Sequence, residues 1–327
     1  MRPDDACTGA GAAPPFAADA PLFIVLNANS GKDDAGETRE TIRAVLGEAR
    51  RRYRLFVCEP RAGLSAVARQ AVASACAEQG AVVAAGGDGT LNAVAQEVLG
   101  SGCAFGVLPQ GTFNYFGRNH GIPNGTAEAM RMLVGSRPQP VQVGLVNDHV
   151  FLVNASLGLY PQLLENREAW KKQYGRHRLV AFGSALATLL REHRQLRIRV
   201  EREGKAHMVR TPTLFVGNNR LQLEQIGIEQ TEALASGRLA AVMPKPVGSW
   251  AMLGLVVRGA LGRLGDAEQI DHFGFSQLSV SPAAYGGKRI KIASDGEIVW
   301  MRAPLLFRVS PKPLWLLKSD AAVGERA

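Results

Sequence analysis

The sequence predicts a parallel α/β domain followed by an antiparallel β domain, and three observations carry that reading. Short apolar runs alternate with helical-period segments over the first 140 residues. Three of those runs end in a polar, glycine-bearing loop. Beyond about residue 141 the pattern changes to many short runs separated by turn residues. Alternation of strands with helices of ten to fifteen residues implies right-handed crossovers and a parallel sheet, whereas closely spaced short strands imply a sandwich or barrel.

Taken in order, residues 1–20 are rich in Ala, Pro and Gly, carry Asp4, Asp5 and Asp19, and lack the cationic start and apolar centre of a signal peptide; they are read as a disordered tail. Residues 22–26 form an apolar strand that runs into Asn27-Ala28-Asn29-Ser30-Gly31-Lys32. No glycine stands five residues before Gly31, so this is not a Walker A loop. A helix over 38–51, a strand over 54–58 and a helix from about Leu64 follow, the last with Val67, Ala68, Ala71, Val72 and Ala75 on one face.

The run Ala81-Val82-Val83-Ala84-Ala85 has the character of a buried parallel strand, and Leu91, Val94, Ala95, Val98 and Leu99 recur at helical spacing after it. Between them lies Gly86-Gly87-Asp88-Gly89-Thr90-Leu91-Asn92. A loop between a strand end and a helix start presents N–H groups without intrahelical partners at the positive end of a dipole, which favours phosphate. Residues 103–108 form another strand, ending in Pro109-Gln110-Gly111-Thr112-Phe113-Asn114. Loops that follow strands leave a parallel sheet at one edge, so all three should converge on one crevice and form a nucleotide-phosphate site.

The β-rich part reads as a hairpin over 141–155 and strands near 196–200, 207–210, 213–217, 238–243, 277–280, 289–293 and 298–302, with helical insertions near 166–194 and 249–264. The expected domains are 21–140 for nucleotide binding and 141–304 for the β-rich part, with 305–327 able to return to the first domain.

The charge of +9 favours an acidic partner, but cations are spread along the chain and nucleic-acid motifs are missing, so nucleic acid is not expected. No apolar run reaches the 18 or so residues that span a bilayer. Cys7, Cys58, Cys76 and Cys103 show no CxxC spacing, which suits small core residues in a reducing cytoplasm. The six histidines lack HExxH-type pairing, and none is assigned to catalysis. The cluster of Trp170, Lys171, Lys172, Arg176, His177 and Arg178 could rest on an anionic bilayer or end an ordinary solvated helix. Trp250, Met252, Leu253, Leu255, Val256 and Leu261 suit a lipid-facing lid or a core helix equally.

In this order and spacing, the three loops resemble the diacylglycerol kinase catalytic-domain family, which includes bacterial lipid kinases and relatives of the sphingosine and ceramide kinases. The resemblance runs from about Leu22 to Leu317 and includes Phe151-Leu152-Val153-Asn154-Ala155-Ser156-Leu157-Gly158, Phe215-Val216-Gly217-Asn218-Asn219 and Asp295-Gly296-Glu297. It implies a Rossmann-like N-terminal domain of the NAD kinase and diacylglycerol kinase type, a C-terminal β-sandwich-like domain that holds lipid, and an active site between them.

It further implies ATP and Mg²⁺ as cofactors, with nucleotide contacts at Asn27, Asn29, Ser30, Gly31, Lys32, the Gly86 to Asn92 loop, Gly111, Thr112 and Asn114. Asp88 would act near the phosphates and their Mg²⁺. Asp295 or Glu297 would serve as general base, although Asp-Gly would also serve a plain hairpin turn. The expected activity is ATP-dependent phosphorylation of a diacylglycerol-like or sphingoid lipid by a cytoplasmic, peripherally membrane-associated enzyme, with homodimerisation left open. The alternatives are an NAD kinase-like phosphotransferase and a non-catalytic binding protein of the same fold.

Two positions depart from the family pattern: Tyr115 and Ser236 stand where aspartates are common. With both carboxylates missing, a structural Mg²⁺ is not expected there, and Lys32 should be solvated or reach phosphate. Cys58 replaces a common threonine on the adenine side.

Overall fold

The computed structural model describes residues 13–28, 35–58, 63–159, 161, 195–202, 204–283 and 289–319. Asn29, Ser30, Gly31, Lys32, Cys7 and the 166–194 insertion with its cationic cluster lie outside the described residues. The chain divides into two units, Met1–Val143 with Ser310–Ala327, and Gly144–Val309.

In the first unit, β1 (Leu22–Asn27), β2 (Tyr53–Cys58), β3 (Ala81–Gly86) and β4 (Ala104–Pro109) are parallel in the order β2-β1-β3-β4. All six residues of β3 and of β4 are buried, which is why they read as continuous apolar runs without alternation. The crossovers are α1 (Ala35–Glu48), α2 (Leu64–Ala77) and α3 (Asp88–Val98). Helix α2 buries Ala68, Ala71 and Ala75 at the spacing of one face. After β4 come α4 (Tyr115–Asn119), α5 (Thr126–Val134) and β5 (Arg137–Val141). The sheet is completed from the far end of the chain by β18 (Leu314–Lys318), which lies between β4 and β5, parallel to the first and antiparallel to the second.

The second unit is antiparallel throughout its described strands. One sheet has the order β10-β9-β14-β17-β6-β7 and the other β13-β12-β11-β8-β15-β16. Their strands are β6 (Gly144–Val146), β7 (His149–Phe151), β8 (Asn154–Gly158), β9 (Leu196–Arg202), β10 (Lys205–Thr211), β11 (Thr213–Gly217), β12 (Leu239–Pro244), β13 (Ile270–Phe275), β14 (Gln277–Pro282), β15 (Arg289–Ser294), β16 (Glu297–Arg302) and β17 (Leu305–Val309). Val146, Phe151, Val200, Leu214, Leu278, Ile292 and Phe307 from both sheets share one core.

Helices α6 (Arg220–Gln225), α7 (Thr231–Ala235) and α8 (Ser249–Ala260) cover the other face of the second sheet. Strand β12 shows the arrangement residue by residue. Leu239, Ala241 and Met243 face the sandwich core, and Ala240 and Val242 face a second cluster with Met252 and Leu255 of α8.

The expected hairpin over 141–155 divides. Val141 ends β5 in the first unit, the hairpin proper is β6 with β7, and Asn154 opens β8 in the other sheet. The chain can leave the first ladder because the N–H groups of Leu152 and Val153 donate to the Asp295 carboxylate and not to a neighbouring strand. Residues 305–309 lie in the second unit as β17, and only β18 belongs to the first sheet.

Candidate active site

In the first unit, β2-β1-β3-β4 order means that the chain leaves β1 and β3 in opposite directions. The gap at their carboxyl ends is the switch point at which α/β sheets bind ligands. Asn27, the last residue of β1, donates from Nδ2 to Thr90 Oγ1 at 3.0 Å across this point. Thr90 is buried, as are Leu91 and Asn92 behind it, so these three loop residues anchor α3 while Gly87, Asp88 and Gly89 stay half-buried at the mouth.

The glycines of the second and third loops are needed for close approach. A Cβ on Gly111 would stand 3.0 Å from Gly87 Cα and 2.8 Å from Asn114 Oδ1. A Cβ on Gly86 would meet the Thr90 side chain at 2.6 Å. The two loops are also tied by Gln110 N–H donating to Gly86 O at 2.9 Å, and Gln110 reaches Thr38 Oγ1 on α1 at 2.9 Å. Gly111→Ala should therefore push the third loop away and weaken the ATP binding expected from the resemblance about tenfold, on the scale of 1–3 kcal/mol for overpacking. Calorimetric titration with ATP checks this, and unchanged affinity would mean that the contact does not shape the site.

Helix α3 begins at Asp88 with Gly87 as its N-cap and no side chain capping it. Its first-turn N–H groups are thus left to an anion or water. Asp88 receives backbone N–H donors from Phe116 and Tyr115, while its Oδ1 is buried without a partner. Burial pushes the carboxyl pKa up, and those two donors pull it partly back. Asn114, at a left-handed φ of 48°, also holds a buried unpartnered oxygen, and its Nδ2 donates to Asn124 at 3.3 Å. No group of three or more His, Cys, Asp or Glu side chains that could hold a metal exists among the described residues. One carboxylate oxygen lacking a donor suits Mg²⁺, which is commonly held by one or two carboxylates plus substrate phosphates.

Tyr115 supplies a backbone donor to Asp88, and its ring stacks on Phe113 at 5.6 Å. Ser236 closes α7 through bonds to the carbonyls of Glu232 and Ala233 and accepts from Arg238 Nε at 3.1 Å. Cys58 is buried at the end of β2, and burial pushes its thiol pKa up, away from reactive thiolate.

In the second unit the three later motifs form one polar cluster. Asp295 and Gly296 occupy the β15–β16 turn with φ of 47° and 86°, as a tight hairpin requires. Asp295 is only 8% exposed, and its carboxylate accepts N–H bonds from Leu152 at 2.7 Å, Val153 at 2.8 Å and Asn154 at 2.9 Å. Asn218 donates through N–H to Val153 O and through Nδ2 to Leu152 O. Asn154 reaches Gln222, whose N–H is capped by Asn219. Glu297, by contrast, is exposed at the start of β16.

Asn154, Asn218, Asn219 and Gln222 join this cluster without a role expected from the sequence. The signal for three of them was present in the Asn-Ala-Ser-Leu-Gly and Gly-Asn-Asn runs, because amides in otherwise apolar strands need buried partners.

Residues 21–146 match the family described as the diacylglycerol kinase catalytic domain. Among curated relatives, a probable lipid kinase, YegS-like, of Klebsiella pneumoniae (strain 342) is 40% identical over 79 residues, 24% of this chain and 27% of that protein. Another of the same description, from Cronobacter sakazakii, is 37% identical over 91 residues, 26% of this chain and 30% of that protein. The aligned part of the chain thus spans under a third of these relatives' length. A crystal structure described as a diacylglycerol kinase from Bacillus anthracis str. Sterne has the same fold, with a TM-score of 0.65 at 17% identity over 93% of this chain and 98% of that one.

Proposed function

We propose that this chain is an ATP-dependent lipid kinase that transfers the γ-phosphate of ATP to a hydroxyl of a diacylglycerol-like or sphingoid lipid. The observation that carries the reading is the buried, unpartnered Asp88 oxygen beside an uncapped helix start at the β1/β3 switch point. It gains support from the catalytic-domain match and from lipid kinases among the relatives.

Phosphoryl transfer needs positioned phosphates, neutralised charge and a proton acceptor for the attacking alcohol. Backbone N–H groups of the Gly87 to Thr90 turn bind the phosphates, and the Gly87–Gly111 approach fixes the turn's shape. Asp88 and the nucleotide phosphates would hold Mg²⁺, which when bound neutralises charge developing on the phosphate oxygens. Glu297 is exposed and serves as the proton acceptor, whereas Asp295 has committed both carboxylate oxygens to three backbone donors and positions the β7–β8 connection.

Incubation of the full chain with ATP, Mg²⁺ and a panel of diacylglycerol, monoacylglycerol, sphingosine, ceramide and NAD, read by mass spectrometry, tests the proposal. A phosphorylated lipid is expected. Phosphorylated NAD alone would replace it with an NAD kinase reading, and nucleotide binding without any product would indicate a non-catalytic protein.

A further inference from the structure

Helix α8 is apolar on both sides. Met252 and Leu255 face inward and pack with Ala240, Val242 and Ile270. On the opposite face stand Trp250, Gly254, Val257 and Leu261, spaced i, i+4, i+7 and i+11 along one stripe. Trp250 is 80% exposed, Leu261 69% and Val257 47%, with Val256 at 41% on the flank. A helix that already has its core contacts gains nothing for folding from a second apolar face. These four side chains expose roughly 400 Å², within the range of the largest apolar patches on monomers, which are often functional.

We propose that this face of α8 lies in the interface of an anionic bilayer, with Trp250 and Leu261 inserted below the headgroups. Helix α8 itself carries one cation, Arg258, and no Asp or Glu, whereas Lys245 ahead of it pairs with Asp271 at 3.4 Å and Asp266 and Glu268 follow Arg263. Arg258 belongs to the last turn of α8, and Arg263 lies three residues beyond its end; both are exposed. Tryptophan prefers the headgroup boundary, and basic residues near the surface add attraction to acidic lipids. At 12 residues the helix is about 18 Å long, too short to span the hydrocarbon and suited to lying in its plane.

A second copy of the chain is the competing occupant, and the size of the patch disfavours it. The patch offers about half of the ~800 Å² per partner typical of a specific interface.

The inference deepens the lipid-kinase reading by naming the element that meets the membrane, and its test contains neither ATP nor acceptor. The full chain is sedimented with sucrose-loaded vesicles of 3:1 phosphatidylcholine to phosphatidylglycerol, and with phosphatidylcholine alone. The wild type should bind the anionic vesicles. Trp250→Ser with Leu261→Ser should bind at least tenfold more weakly at an unchanged melting temperature, Trp250→Phe should retain binding, and Arg258→Glu with Arg263→Glu should abolish the preference for acidic lipid.

Equal binding by wild type and the double serine variant, or no wild-type binding at all, would overturn the proposal. So would a wild-type dimer in sedimentation velocity that the serine variant dissociates. Loss of binding in the variant combined with no kinase activity in the wild type would sink the enzymatic reading and leave this one standing.

Discussion

Asp88→Asn is expected to lower phosphorylation of the lipid acceptor by about 10²–10³-fold while leaving the protein as stable as the wild type at neutral pH, or more so. The loss follows from removing the carboxylate oxygen that would share Mg²⁺ with ATP; such charge stabilisation is worth several kcal/mol, at about 1.4 kcal/mol per tenfold. The stability effect follows from burial, which pushes the Asp88 pKa up. A carboxyl with a raised folded pKa is favourable to folding at low pH, and that contribution is lost as pH rises through the folded value. The amide keeps an oxygen for the Phe116 and Tyr115 donors and removes the desolvated charge. The variant's advantage in melting temperature should therefore be small near pH 4.5 and widen toward about pH 7.5. A variant equally active, or one less stable at pH 7.5 than at pH 4.5 relative to wild type, would contradict this account of the residue.

The second large effect separates two carboxylates that lie two residues apart. Asp295→Asn leaves one oxygen for three N–H donors and turns an NH₂ group toward at least one of them. Hydrogen bonds to charged groups contribute about 1.5–3 kcal/mol each, so a net loss of about 3 kcal/mol is expected. For a unit of this size that corresponds to a fall of roughly 6–12 °C in melting temperature. Glu297 is exposed, so Glu297→Gln should melt as the wild type does, yet lose about 10²–10⁴ in turnover. If Asp295→Asn melts normally and loses turnover instead, the two roles are exchanged.

The parallel domain was the most legible part of the chain. Its strands are buried on both sides, so β3 and β4 appear as unbroken apolar runs, and each is punctuated by a loop whose glycines stand out. The β domain was legible as a class but not in its pairings. A short strand such as β7 carries no mark of its sheet, and it was Asp295, 142 to 143 positions later in sequence, that showed why Leu152 and Val153 leave the ladder. The same residue limits what sequence can say about chemistry. Asp-Gly-Glu reads from its spacing as a hairpin turn and from the resemblance as a catalytic motif, and only the bonds to three N–H groups show that Asp295 is committed. Helix α8 posed the converse difficulty, because hydrophobic periodicity does not report how much of each face the rest of the fold covers.

The position of β18 affects how this protein is made. The first sheet needs a strand between β4 and β5, yet that strand is encoded at 314–318, after the whole second unit. At ribosomal rates of about 5–20 residues per second, the interval between β5 and β18 is roughly 10–35 s, during which β4 presents an unpaired edge and β5 lacks its partner strand. A nascent chain stalled before Leu314 should therefore hold an incomplete first domain that is open to chaperones and to aggregation. The segment that matches the catalytic-domain family is for the same reason not a unit that can be excised and expected to fold.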